Sequence, residues 1–183
     1  MDQQPQLVML NPSLSELPPL QLAQGYSIRT FQPGDEAAWE SIIGEAFGGA
    51  YLFEHMTKDD PYAPERVFFV CSDDQPVATA SAWWRPQWGE FTGYLHMVGV
   101  LPSQAGKRLG YTASLAAMHR MAEENRSRAI LNTDDFRIPA IKIYLNLGYE
   151  PVVDHPSHYD RWKLILTQLN EQERLSRLQP YSK

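Results

Sequence analysis

The chain is short of cysteine, of net positive charge and of long apolar runs, and each shortage excludes a class of protein. Cysteine occurs once, at Cys71, so no intrachain disulfide can form. It lies in the apolar run Val67-Phe-Phe-Val-Cys71, which suits a buried structural thiol rather than a nucleophile. Acidic residues outnumber basic ones 22 to 16, giving a formal net charge of −6. A nucleic-acid partner, which needs a basic footprint, is not expected, whereas a cationic small substrate is compatible with that balance. No apolar stretch reaches the length that spans a bilayer, so no membrane partner is expected. The start, Met1-Asp-Gln-Gln-Pro5, has no basic region followed by an apolar run, which makes the cytoplasm the expected compartment. Two phosphate-binding fingerprints are also missing: Gly-x4-Gly-Lys-Ser/Thr and Gly-x-Gly-x-x-Gly. There are no internal repeats.

What is present suits one domain with a sizeable core. The 183 residues are 43% hydrophobic and 11% aromatic, a composition typical of globular chains. Residues 1–24 carry Pro5, Pro12, Pro18 and Pro19 and read as an arm or linker. Tyr26–Phe31 alternates like a strand. Pro33-Gly34 turns the chain, and Asp35 is positioned to cap a helix over 36–47, with Trp39, Ile42, Ile43 and Phe47 on its apolar side and Gly48-Gly49 at its end. Residues 50–65 read as a loop or a short helix. Val67–Cys71 and Pro76–Trp84 make a hairpin around a polar turn. Arg128–Asn132 reads as a short buried strand. A helix follows, with Ile138, Ile141 and Leu145 on its buried stripe, Pro139 in its first turn and Gly148 after its end. Tyr149–Val153 and Tyr159–Leu166 read as two final strands, or as one strand and a strand-to-helix extension. The polar tail at 167–183 is compatible with helix. This order predicts an α/β protein: a central mixed sheet of six to seven strands, with helices on both faces.

The stretch around which the chain is organised runs from Tyr94 to Asn125. Tyr94, His96, Val98 and Val100 alternate with Leu95, Met97 and Gly99, as a strand requires. Pro102 cannot donate to a ladder and stops it near Leu101. Past Gly110, the positions Tyr111, Leu115, Met118 and Ala122 form one helical stripe. A glycine loop with two cations leading into a helix N-terminus can hold an anion, because first-turn N–H groups lack intrahelical partners and the helix dipole is positive there. The loop alone slightly favours the plainer reading, a strand-to-helix turn with solvated Lys107 and Arg108.

Two stretches together, Val98-Gly-Val-Leu-Pro-Ser-Gln-Ala-Gly-Lys-Arg-Leu-Gly110 and Pro139-Ala-Ile-Lys-Ile-Tyr-Leu-Asn-Leu-Gly-Tyr149, resemble the GNAT acyltransferase superfamily over residues 25–166. In that family a strand ends in Val-x-Pro, an Arg/Gln-x-x-Gly-x-Gly/Ala loop holds the coenzyme A pyrophosphate, and Pro-Ala-x-x-(Leu/Ile)-Tyr-x-x-x-Gly-(Phe/Tyr) follows. The second stretch matches nearly letter for letter. The loop departs: Ala105 stands where the family has Arg or Gln, and Arg108 where it has the first Gly. Arg137 stands where many members have Asn.

The resemblance implies direct acetyl transfer from acetyl-CoA, without a metal, to an amine of a small molecule or peptide. Val98, Gly99 and Val100 would face the pantetheine arm and thioester. Ala105, Gly106, Lys107, Arg108, Leu109, Gly110 and Tyr111 would hold the pyrophosphate. Tyr144 matches a tyrosine that protonates the departing thiolate, and the motif around it favours that role over a tyrosine whose hydroxyl is satisfied locally. His96 resembles a strand histidine that acts as general base in the serotonin-type arylalkylamine acetyltransferases; a core histidine explains it as well, and Glu90 and Glu45 are further candidates. Asp134 and Asp135 suit helix capping or the acceptor side. Trp83, Trp84 and Trp88 suit core packing, with one available to shape an acceptor pocket. His155 and His158, near Asp154 and Asp160, lack metal-site spacing and fit a solvated loop. A homodimer is compatible with all of this. The altered loop leaves open an acyl-CoA-binding sensor without turnover, and the acceptor would be selected by loops 48–65, 85–92 and 154–158.

Overall fold

The computed structural model describes residues 4–182. Among the described residues, seven strands and six α-helices build a mixed α/β fold, and the chain divides into two compact units, Ser13–Ala129 and Met1–Pro12 with Ile130–Lys183. No helix among the described residues is long and apolar enough to cross a membrane.

The unit Ser13–Ala129 is built on four antiparallel strands. These are β2 (Tyr26–Thr30), β3 (Val67–Ser72), β4 (Gln75–Trp84) and β5 (Thr92–Val100), paired in that order. Asp73 and Asp74 take left-handed backbone at the β3–β4 turn, which short polar residues tolerate best after glycine. Between β2 and β3 come α1 (Glu36–Phe47) and the single turn α2 (Glu54–Thr57). Helix α1 ends at Gly48 in the left-handed conformation, its N–H returning to the Gly44 carbonyl. Trp39, Ile42 and Ile43 of α1 join Phe53, Met56, Phe69 and Trp83 in one core cluster. Helix α3 (Leu109–Glu123) is buried along most of its first three turns, a far wider face than one stripe. Small residues, Ala113, Ser114, Ala116 and Ala117, allow that burial.

Asp35 does not cap α1 with its side chain. Arg29 takes the carboxylate instead, donating from Nη1 and Nη2 at 2.6 and 2.9 Å, and the Gln32 N–H donates to it at 2.7 Å. A bidentate guanidinium outcompetes a cap because both partners are charged.

The other unit holds the end of β6 (Arg128–Thr133), the antiparallel pair β1 (Leu7–Asn11) and β7 (Glu150–Val152), and α4 (Ile138–Asn146), α5 (His158–Gln168) and α6 (Gln172–Arg177). Two expectations are corrected here. The stretch 1–24, expected as an arm, contains strand β1. Its run Leu7-Val8-Met9 is buried without alternation, so the period-two signal of a half-exposed strand is absent. Residues 159–166, read as a strand or a strand-to-helix extension, lie within helix α5. His158, Trp162, Ile165 and Leu166 fall at helical spacing and are all buried. His158, expected in a solvated loop, is therefore a core residue, 1% exposed.

Candidate active site

Strand β5 is irregular where the chemistry is expected. Thr79 pairs with Gly99 and Ser81 with His96, so Ala80 alone opposes Met97 and Val98. Met97 adopts φ +49°, unusual for a residue with a Cβ. This is a β-bulge: the extra residue leaves the β4 ladder and its backbone groups point elsewhere. Bulges re-aim side chains and free backbone hydrogen-bonding groups, which is what a reacting carbonyl needs from its surroundings. Val98 and Val100 flank this stretch half-buried, and Gly99 is buried in it. A Cβ on Gly99 would lie 2.9 Å from Ile43 Cδ1 and 3.2 Å from Ile42 Cγ2, so the close approach of α1 explains that glycine without a ligand.

The loop after β5 is a single 3-10 turn, Pro102–Gln104, closed by N–H bonds from Gln104 to Leu101 and from Ala105 to Pro102. Gly106 (φ +79°) and Arg108 (φ +60°) are both left-handed. Arg108 is the N-terminal flanking residue of α3, and no side chain caps that helix. The N–H groups of Leu109, Gly110 and Tyr111 therefore face their surroundings without a capping oxygen, while the Thr112 N–H closes onto the Arg108 carbonyl. Ala105, Gly106, Lys107 and Arg108 are exposed; Leu109 and Gly110 are buried, and Tyr111 is half-buried. The Arg108 guanidinium lies over the Tyr111 ring at 4.8 Å, and Lys107 Nζ is 5.9 Å from the Tyr26 ring and 2.8 Å from Gln104 Oε1. Tyr26 donates to the same Gln104 oxygen at 2.8 Å. An uncapped N-terminus, a left-handed entry and two exposed cations suit a pyrophosphate.

His96 shares a face of β5 with Tyr94, opposite Trp83 and Ser81 of β4. Its ring is 5.7 Å from Trp83 and 5.4 Å from Tyr94. Burial, then the nearby Arg85 cation, pushes its pKa down to about 4, against the opposing pull of Asp59. His96 is thus neutral at pH 7 but a weak proton acceptor. Asp59 lies in the stretch that reads as a loop or a short helix; its carboxylate accepts from Trp83 Nε1 at 2.8 Å and Arg85 Nη1 at 2.6 Å. Arg85 in turn lies 5.6 Å from the Tyr94 ring. Nothing in the local sequence around residue 59 marks this partnership, because the other members come from β4 and β5. Trp83 is a buried core residue, whereas Trp84 and Trp88 are half-buried. Glu90 and Glu45 are both exposed, and Glu45 accepts a long bond of 3.4 Å from Ser41.

Tyr144 belongs to the other unit, on α4, and is buried with its ring 6.2 Å from that of Tyr149. Gly148 ends that region at φ +85°, with the buried Asn11 side chain donating to the Leu147 carbonyl at 2.8 Å. Asp135 does not cap α4 but forms a double bond-pair with Arg161, at 2.8 and 2.5 Å, which holds its carboxyl below the usual range. Asp134 is 3.3 Å from Arg137 Nε. His158 Nδ1 is 2.8 Å from Asp154 Oδ1. Among the described residues, no group of three or more His, Cys, Asp or Glu is arranged to hold a metal ion.

Residues 36–149 match the profile described as Acetyltransferase (GNAT) family. The chain is 29% identical over 143 residues to a mycothiol acetyltransferase of Thermomonospora curvata, covering 74% of this chain and 48% of that protein. It is 30% identical over 136 residues to one from Streptomyces griseus, covering 70% and 44%. The chain thus spans about half the length of the curated relatives it matches. In fold, it resembles a GCN5-related N-acetyltransferase from Sphaerobacter thermophilus, with a TM-score of 0.63 at 22% identity, covering 81% of this chain and 50% of the other. Since the family profile spans the α1-to-α4 region, including both the bulged strand with its loop and the helix bearing Tyr144, the chain belongs to the GNAT acetyltransferase family.

Proposed function

We propose that this chain transfers an acetyl group from acetyl-CoA directly to the primary amine of a small molecule or peptide. The uncapped N-terminus of α3, entered through left-handed Arg108, carries the reading: it offers N–H groups and positive charge to a pyrophosphate. Backbone groups displaced by the bulge at Met97–Val98 would receive the thioester oxygen as it becomes an oxyanion. In the step itself the amine nitrogen bonds to the thioester carbon and the C–S bond breaks. Tyr144 gives its hydroxyl proton to the leaving thiolate, a role supported by the motif around it. The amine must arrive neutral, its nitrogen loses one further proton as the amide forms, and solvent returns a proton to Tyr144. With a pKa near 4, His96 serves as a relay toward water rather than as a strong base.

Acceptor chemistry would be set by the region of Asp59, Arg85, Tyr94 and His96. The name of the relatives puts mycothiol-related amines at the head of an acceptor panel. Calorimetry with acetyl-CoA and free CoA, followed by thiol release across that panel, tests the proposal. Micromolar binding with amine-stimulated release supports it. Binding with slow hydrolysis that no amine accelerates favours the sensor reading, which rests on the altered loop at Ala105 and Arg108. No binding of either ligand overturns both.

A further inference from the structure

The segment before β2 forms one wall of a cavity of about 350 Å³. Pro18, Pro19 and Leu22 stand on one side, and Arg108, Tyr111 and Leu115 on the other. This segment precedes the stretch matched by the family profile, which begins at residue 36. It is fastened at two points: the Leu14 N–H donates to the Ser127 carbonyl at 2.8 Å, and His119 Nε2 lies 2.8 Å from the Pro18 carbonyl oxygen. Pro18 and Pro19 stiffen the first residues of the wall, and at its other end the Tyr26 N–H donates to the Ala23 carbonyl at 3.2 Å, so it keeps its place without a sheet or helix of its own. The cavity volume falls within the range of ligand sites. Its lining combines apolar side chains with Lys107 and Arg108 at one end. That pairing suits a flat heterocycle carrying phosphate: apolar walls cover the ring and the cations meet the charge.

We propose that residues Pro18–Ala23 are a specificity wall for the nucleotide end of the cosubstrate, so that acetyl-CoA is recognised partly by chain outside the shared family stretch. This rests on the acetyl-CoA reading above and adds to it the segment that selects the nucleotide. Leu22 is the residue to change. Its side chain lines the cavity yet is 41% exposed, so its substitution leaves the core intact.

The test compares acetyl-CoA with S-acetyl-4′-phosphopantetheine, which lacks the nucleotide, on the full chain and on Leu22→Glu and Leu22→Ala. The wall predicts that Leu22→Glu weakens acetyl-CoA binding about tenfold, by setting a carboxylate against the 3′-phosphate of the nucleotide, and leaves S-acetyl-4′-phosphopantetheine, which lacks that phosphate, unchanged. Leu22→Ala should show a smaller loss with the same selectivity. Equal shifts for both ligands, or none for either, with an unchanged melting temperature, overturn the wall while leaving the acetyl-CoA reading intact. An unaltered chain that binds neither ligand overturns both.

Discussion

The loop at 101–108 and the helix-to-turn segment at 139–149 lie in the two stretches that carry the family resemblance, 98–110 and 139–149, yet they are built in opposite ways. The loop is exposed over most of its length, and what it would offer the proposed pyrophosphate is mainly N–H groups at the start of α3. Its side chains are therefore free to differ, and Ala105 and Arg108 do differ from the family pattern. The second stretch is packed: Ile141, Tyr144, Leu145 and Tyr149 are all buried, and Gly148 turns the chain against the side chain of Asn11. Its buried letters answer to neighbours, whereas Pro139, Lys142 and Asn146 are exposed, and the pattern holds nearly intact. Backbone-mediated sites tolerate substitution; side-chain-mediated sites do not.

That contrast can be broken most sharply at Tyr144. Tyr144→Phe should lower turnover roughly 10- to 100-fold, toward the low end for loss of a general acid, with acetyl-CoA affinity unchanged. Single-turnover rates separate the two, and unaltered chemistry would return Tyr144 to a packing role. In the loop, Arg108→Glu should weaken acetyl-CoA about tenfold, more at low salt than at high, since exposed charges are screened. An affinity insensitive to that reversal would leave the cradle to the backbone alone.

The glycines of the two regions sharpen the comparison further. Both Gly106 and Gly148 have positive φ, but a Cβ at 106 meets open space, whereas one at 148 would lie 3.1 Å from Asn11 Nδ2. Gly148→Ala should cost about 1–3 kcal/mol, a few degrees of melting temperature, because backbone strain and a displaced buried amide add together. Gly106→Ala should cost about 1 kcal/mol or less, from strain alone. Equal losses in thermal melts would remove the packing distinction.

The smallest effect concerns His96. Its pKa in the folded chain is near 4, below its ordinary value of 6.5, so folding favours the neutral ring. That contribution is complete above about pH 6.5 and is lost as pH falls through 4. His96→Gln should flatten the acid side of the stability profile between those limits, and melts at pH 7 and pH 4.5 would show it. Replacing Asp59 by Asn removes a charge that raises the His96 pKa, so the histidine's NMR titration should move to still lower pH.

Much of the fold was legible because the relevant signals are local. The alternation of Tyr26–Phe31, the hairpin at 67–84, and the glycines after α1 and α4 state their structure within a few residues. Strand β1 was not legible, since Leu7-Val8-Met9 is buried on both faces and lacks a period. Helix α5 was only half legible, as a strand or a strand-to-helix extension, because Tyr159, Trp162 and Ile165 are as common in strands as in buried helices. Asp35 and Asp135 looked like caps until Arg29 and Arg161 claimed them. No local pattern announces a guanidinium 26 residues away, as Arg161 is from Asp135.

By itself, then, the sequence determined the order of most elements, the family, and the residue types at the loop and around Tyr144, all of which depend on spacing along the chain. Tertiary structure alone decided the bulge at Met97–Val98, the Asp59–Arg85–Trp83 partnership beside His96, and the wall that residues 18–23 present to Arg108. Those depend on register between strands and on packing of distant segments. Both are collective outcomes of burial and pairing that no short window of sequence contains.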